Sequence, residues 1–311
     1  MIAAIIALAG CVFLLGHLAG PMLLRARWFA GLPGTAVALW TAALTGTMLA
    51  LTGLTAIALV WPSTPGHRLI DWLADCLPKD GHAISPVAAF ATVLLLAAVI
   101  TSLGLAVPRV VRTVRERREH RQMLDVVAGD LSGTPDVRVL EHPMPMIYCL
   151  PARERPIVVT TGALDRLGPA EMEAVLAHER AHLRQRHHLV LMLADALRAA
   201  VPWLGTLRLA YATLPGLLEL AADDHAAHHH GRAPLIGALQ KLSVASCSVG
   251  ALAVNPATAY IARLRIARLT SPQTPPRLPH VRSLSWFAVA AAVGVPAVLV
   301  TLGVMMLPLP C

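Results

Sequence analysis

Ala174-Val175-Leu176-Ala177-His178-Glu179-Arg180-Ala181-His182 is the stretch from which the rest of the chain can be organised. Its pattern is helical, and on a helix residues four apart stand one turn above each other on the same face. His178 and His182 can therefore offer two imidazoles to one Zn²⁺, with Glu179 beside a metal-bound water. The spacing predicts a zinc peptidase centre with His178 and His182 as ligands and Glu179 as general base. A structural zinc site or an incidental histidine pair would give the same five residues, so the surroundings must decide.

Immediately upstream, Gly168-Pro169 opens the helix: proline suits the first helical position, and Glu171 and Glu173 favour the positive end of the dipole. Before it, short β-branched and apolar runs between proline-rich breaks predict strands at Val137 to Leu140, Met146 to Leu150 and Pro156 to Thr161. Turn signals at Gly129-Asp130 and Ser132 to Asp136 complete a small sheet. Of the three strands, Pro156 to Thr161 is expected to pair with an extended substrate backbone.

Downstream, a peptidase centre needs a third protein ligand, and Glu219-Leu220-Ala221-Ala222-Asp223 supplies it. The two carboxylates share a helix face, so Glu219 can bind the ion while Asp223 accepts a hydrogen bond from a ligating imidazole and fixes its tautomer. Water would complete an open tetrahedral shell. Between the two helices, Leu189 to Leu218 is nearly apolar. A single membrane crossing there would put Glu219 on the opposite side from His182, so it must either pack on the domain or dip into the inner leaflet.

The other histidines have simpler readings. His187 and His188 are expected to close the motif helix near its negative end. His228, His229 and His230 fit a solvated helix end, and His225 is the candidate among them to support the metal site from behind. His17, polar in an apolar run, is expected to face neighbouring helices.

The wider composition places this domain at a membrane. Of 311 residues, 56% are hydrophobic and 14% charged, above the apolar share of soluble domains. Ile2 to Leu24, Thr35 to Trp61, Pro86 to Val107 and Trp286 to Leu307 lack Asp, Glu, Lys and Arg, and each is long enough to cross about 30 Å of hydrocarbon. Arg25 and Arg27, the six arginines from Arg109 to Arg121, and Arg277 and Arg282 mark the cytoplasmic flanks. The segment with Asp71, Asp75 and Asp80 becomes the outer loop, and both termini face outward. No positive charge precedes Ile2, which argues against a cleaved signal peptide.

The net charge of +8 thus reports topology, and the run from Arg109 to Arg121 anchors a helix at the bilayer rather than binding nucleic acid. The five cysteines show no C-x-x-C spacing. Cys149 and Cys247 are expected to be reduced, and Cys76 and Cys311 are placed to form an outer bridge. The expected division is residues 1–108 for three membrane helices, 109–285 for the zinc peptidase domain and 286–311 for the fourth helix and a short tail.

Three hydrophobic spans, Thr160-Thr161-Gly162-Ala163-Leu164, the stretch from Ala174 to His182, and Glu219 to Asp223 before a last span resemble the BlaR/MecR family of integral-membrane zinc peptidases. The resemblance implies a mainly α membrane protein: four transmembrane helices carrying a cytoplasmic, gluzincin-like α+β peptidase domain in a bacterial plasma membrane. It implies His178, His182 and Glu219 as zinc ligands, Glu179 as base, Asp223 as their hydrogen-bonding partner, and a winged-helix repressor as protein substrate, cut in response to a cell-wall antibiotic. The sensor members continue into an outer penicillin-binding domain that is not found after Cys311, so direct acylation by a β-lactam is not expected. A quality-control or prenyl-protease-like enzyme similar to HtpX, and a non-catalytic membrane transducer, are the competing readings.

Overall fold

The computed structural model describes residues 2–26, 31–60, 86–131, 133–151, 156–248, 256–271 and 279–305. The expected outer loop, with Cys76, and Cys311 and Arg277 lie outside these residues. Among the described residues, four helices are long and apolar enough to cross a membrane: Ala3–Arg25, Pro33–Ile57, Leu96–Val127 and Ser283–Met305.

The first is not uniform. It runs as α1 (Ile2–Phe13), a π-helical turn (Leu14–Leu18) and α2 (Ala19–Arg25). Pro21 has no N–H to give the His17 carbonyl, and the ladder loosens one turn earlier, where the Ala19 N–H reaches back to the Leu14 carbonyl. The second, α3 (Pro33–Val60), packs closely against the last helix, α11 (Pro279–Met305). Gly46 makes this approach possible, since a Cβ there would lie 2.0 Å from the Ala292 carbonyl oxygen.

The third helix, α4 (Pro86–Val127), is 42 residues long. At 1.5 Å per residue it spans about 63 Å, twice the hydrocarbon thickness. Its apolar half passes without a break, through Pro108, into the arginine-rich half that reaches the small domain. There Arg121 donates to the Pro151 carbonyl at 2.8 Å, and Arg138 meets Asp125 at 2.7 Å.

Three of the four strands, β2 (Val137–Leu140), β3 (Ile147–Cys149) and β4 (Ile157–Thr160), follow the expected positions closely, and β1 (Gly129–Asp130) precedes them. Gly129-Asp130, read as a turn, pairs as a two-residue strand with Val139 and Arg138. The sheet order is β1-β2-β4-β3. Thus β4 is interior, parallel to β2 and antiparallel to β3, and its residues are all buried. The expectation that Pro156 to Thr161 offers a pairing edge to substrate is corrected here: both its edges are taken. The sheet's edges belong to β1 and β3, of which β3 is the longer.

After a short helix α5 (Thr161–Arg166) comes the motif helix α6 (Pro169–Arg184). It begins as expected, with the Gly168 N–H donating to the Glu171 carboxylate at 2.8 Å. Leu176 lies against Val137, Ile157 and Val159 of the sheet, which is the core of the domain. The helix ends at Arg184, and Arg186 takes the left-handed conformation (φ 52°, ψ 38°). His187 therefore opens the next helix, α7 (His187–Ala200), rather than closing the motif helix.

The apolar stretch after it is a helical hairpin of α7 and α8 (Gly205–His230), joined at Val201–Leu204. It buries Leu197, Leu204, Leu207 and Leu214 against Trp40 and Leu44 of α3. Its turn is pinned to the first span, where Gly20 N–H donates to Thr206 Oγ1 at 3.0 Å and Leu204 fills the space above Gly16. The hairpin thus packs against the first and second apolar helices. Helices α9 (Arg232–Ser248) and α10 (Pro256–Thr270) close the far side of the domain.

Candidate metal centre

Two helices bring the expected ligands to one point. The four-residue spacing on α6 sets His178 Nε2 and His182 Nε2 3.1 Å apart. The same spacing on α8 puts Glu219 and Asp223 on the face opposite them. Glu219 Oε2 lies 3.5 Å from His178 Nε2, and Oε1 lies 3.5 Å from His182 Nε2. Tetrahedral zinc with bonds of 2.0–2.2 Å needs donor atoms about 3.4 Å apart, close to the 3.1 and 3.5 Å separations of this triad. Among the described residues it forms the one group of three His, Cys, Asp or Glu donors close enough to share a metal.

Each imidazole is oriented from behind. His178 Nδ1 lies 3.0 Å from Asp223 Oδ1, within ion-pair distance but without hydrogen-bond geometry, while Nε2 faces His182, Glu219 and Arg265. His182 Nδ1 lies 2.9 Å from His187 Nδ1. Asp223 is wholly buried and would be costly there without a cation. Arg265 of α10 supplies it, with Nε 2.8 Å from Oδ2 and a terminal nitrogen 2.7 Å from Oδ1. The other terminal nitrogen lies 2.8 Å from Glu219 Oε2.

The electrostatics follow from this packing. Burial pulls the His178 imidazole down, but the Asp223 and Glu219 carboxylates outweigh it and lift it to about 9. Burial, with His178 alongside, lowers His182 to about 4. Burial would raise Glu219, yet the hydrogen bond to His178 and the charge of Arg265 hold it down at about 2. Glu179 is raised by burial above the usual carboxylate range, against the opposing pull of His178 and the Cys149 thiol, the direction that suits a proton acceptor working near neutrality.

Glu179 lines a cavity of about 590 Å³ with His178, His182 and Glu219. Tyr148 and Cys149 of β3 form its opposite wall. Cys149 is a free thiol, held protonated by burial and by the neighbouring Glu179 carboxylate. Chemically, the arrangement joins a three-donor cation site, a carboxylate of raised proton affinity and a strand edge in one cleft.

His178, His182, Glu219, Asp223 and Glu179 are thus brought together. His225 is not: its Nε2 meets Arg184, its ring contacts His229 at a tilt of 58° with centroids 4.4 Å apart, and it does not line the cavity. The path from α8 carries Asp223 inward and turns His225 outward, beside Asp224 and its partner Arg268. Arg265 and His187 were not foreseen. Arg265 sits in a basic run, Arg263 to Arg268; the one sequence signal for it is that two buried carboxylates need a counter-charge.

Comparison with known proteins agrees with this geometry. Residues 114–214 match the model of Peptidase family M48, a segment that contains the His178 to His182 motif and ends before Glu219. Similar curated proteins are a Protease HtpX homolog of Moorella thermoacetica, 38% identical over 26% of this chain and 28% of its own length, and a Protease HtpX homolog 2 of Methanosarcina mazei, 40% identical over 20% and 22%. A further Protease HtpX homolog 2, of Methanosarcina acetivorans, is 54% identical over 12% and 13%. The chain spans about a quarter of the length of the first two. No solved structure matches. These matches make residues 114–214 similar to Peptidase family M48 and part of the chain similar to HtpX homologs, and they give the BlaR/MecR assignment no support.

Proposed function

We propose that the chain is a membrane-embedded zinc endopeptidase that cuts extended protein segments close to the inner bilayer surface. The His178, His182 and Glu219 donor set carries the reading, because its separations already suit tetrahedral zinc. When bound, zinc supplies a Lewis acid for the scissile carbonyl and acidifies a water. Glu179 takes the proton of that water and passes it to the leaving amine. Asp223 and His187 hold the two imidazoles, and Arg265 keeps both carboxylates ionised.

Substrate would lie along β3. In its antiparallel ladder with β4, Leu150 N–H donates to the Pro156 carbonyl and Met146 carbonyl accepts from Thr160 N–H. Alternation then turns the backbone groups of Ile147 and Cys149 outward. An extended peptide can add there as a further strand and place its carbonyl between edge and metal.

The hairpin favours a substrate at the membrane, the reading in which the chain acts like its HtpX relatives. Taking Arg25 as the inner flank, Gly16 and Gly20 are nine and five residues into the span, about 13 and 7 Å deep. From Gly205 at the hairpin turn to Glu219 is fourteen residues, a return of about 21 Å that leaves Glu219 within roughly 10 Å of the Arg25 level. The matching topology has the domain in the cytoplasm and both termini outside.

The test is a set of membrane-anchored reporters whose cleavable segment is moved away from the last spanning residue by rigid helical spacers. Cutting should be confined to segments within roughly 20 Å of the bilayer, beyond which about 13 helical residues exceed the site's reach. Equal cutting at every distance, or efficient cutting of a soluble winged-helix repressor in preference to all of them, would favour the repressor reading instead.

A further inference from the structure

The two metal-binding imidazoles are supported in different ways, and only one has a carboxylate. His178 leans on Asp223. His182 leans on a second histidine, His187, Nδ1 to Nδ1 at 2.9 Å, and His187 Nε2 lies 3.0 Å from Gln185 Oε1. For His182 to present its Nε2 lone pair to a metal, its proton must be on Nδ1. That N–H then donates to His187 Nδ1, so His187 carries its own proton on Nε2 and donates it to the Gln185 carbonyl.

The backbone supports this reading. His187 is 3% exposed, a polar ring buried where a helix could have begun with any residue. It reaches His182 because Arg186 adopts φ 52°, the one positive φ of a non-glycine residue among those described. Such a conformation is held at a cost, and here it folds His187 back beneath the ring five residues before it. The rings of His182 and His187 meet edge-on, with centroids 4.7 Å apart and planes at 88°, so a nitrogen of one points at the other.

We propose that His187, backed by Gln185, is a positioning residue that fixes the tautomer and aim of His182 toward the metal. This rests on the zinc reading above. Because the acceptor is a neutral ring, it orients His182 without adding a second negative charge to a centre that already holds Glu219 and Asp223.

Zinc affinity of the full chain in detergent, stripped and then titrated with Zn²⁺ against a chromophoric chelator, tests it without any peptidase assay. His187→Leu should bind zinc 10–100-fold more weakly, as for loss of other groups that orient a metal ligand, and His187→Asn, whose carbonyl can accept the His182 proton, should return to within about threefold of wild type. Wild-type affinity in His187→Leu, or an equal loss in the Leu and Asn variants, would overturn the proposal. Should His187→Leu fail to fold, Gln185→Met at its exposed position must show a smaller loss in the same direction, and unchanged binding there would overturn it. A wild-type chain that takes up no zinc would sink the peptidase reading itself; zinc uptake with indifferent variants would sink only the relay.

Discussion

Replacing Arg265 with leucine should separate the stability of the centre from its affinity for metal. Arg265 is 13% exposed and reaches Asp223 through two nitrogens and Glu219 through a third. Asp223 is fully buried, and without the guanidinium its charge keeps only His178 as a partner. Breaking a buried pair by removing one member costs about 3–5 kcal/mol. Because Glu219 is 31% exposed, part of its loss is made good by water, and about 3 kcal/mol is the expected total. Bound zinc would replace some of the lost positive charge and add its own binding free energy to the folded state. Denaturation of the detergent-solubilised chain should therefore show a large loss in the metal-free protein and a smaller one with zinc, while zinc affinity holds or rises as a competing cation leaves. A loss under about 1 kcal/mol without metal, or a fall in zinc affinity, would refute this account of Arg265. Removing Arg115, whose exposed pair with Glu119 faces water, should leave the midpoint unchanged.

Two further outcomes follow from the same geometry. His178 in the metal-free protein is lifted to about 9 while His182 is lowered to about 4, so near neutrality the first carries a proton and the second does not. Zinc must displace that single proton, and affinity should rise about tenfold per pH unit between pH 6 and 8, with one proton released per ion in calorimetry across buffers; a flat profile would contradict the arrangement. Cys149→Pro removes an outward N–H from the free edge of β3 and should lower kcat/KM about tenfold or more with zinc content intact, whereas Cys149→Ala should be near wild type; equal activity in both would remove the edge from the mechanism.

How far these features could be read from sequence depends on how local their causes are. The motif helix is legible because its determinants lie within it: Pro169 at the first position, Glu171 at the cap and the four-residue histidine spacing. The three strand positions and the spans are legible for the same reason. Strand order is not, since β4 is identified as interior only when Val137–Leu140 and Ile147–Cys149 are paired on either side of it. The hairpin is not legible because an apolar run from 189 to 218 satisfies a soluble core and a membrane alike, and its packing depends on the fit of Leu204 over Gly16 and of Leu207 against Trp40. Arg265 is 87 residues from His178, and His187 depends on one left-handed residue; neither leaves a periodic signal.

The central claim is that His178, His182 and Glu219 hold a catalytic zinc beside Glu179. Metal content and cleavage of a membrane-anchored reporter, measured together on wild type and Glu179→Ala, test it most directly. The account predicts one zinc in each protein and cleavage by the wild type alone. Undiminished cleavage by Glu179→Ala, or wild-type activity that survives complete removal of metal, would contradict it.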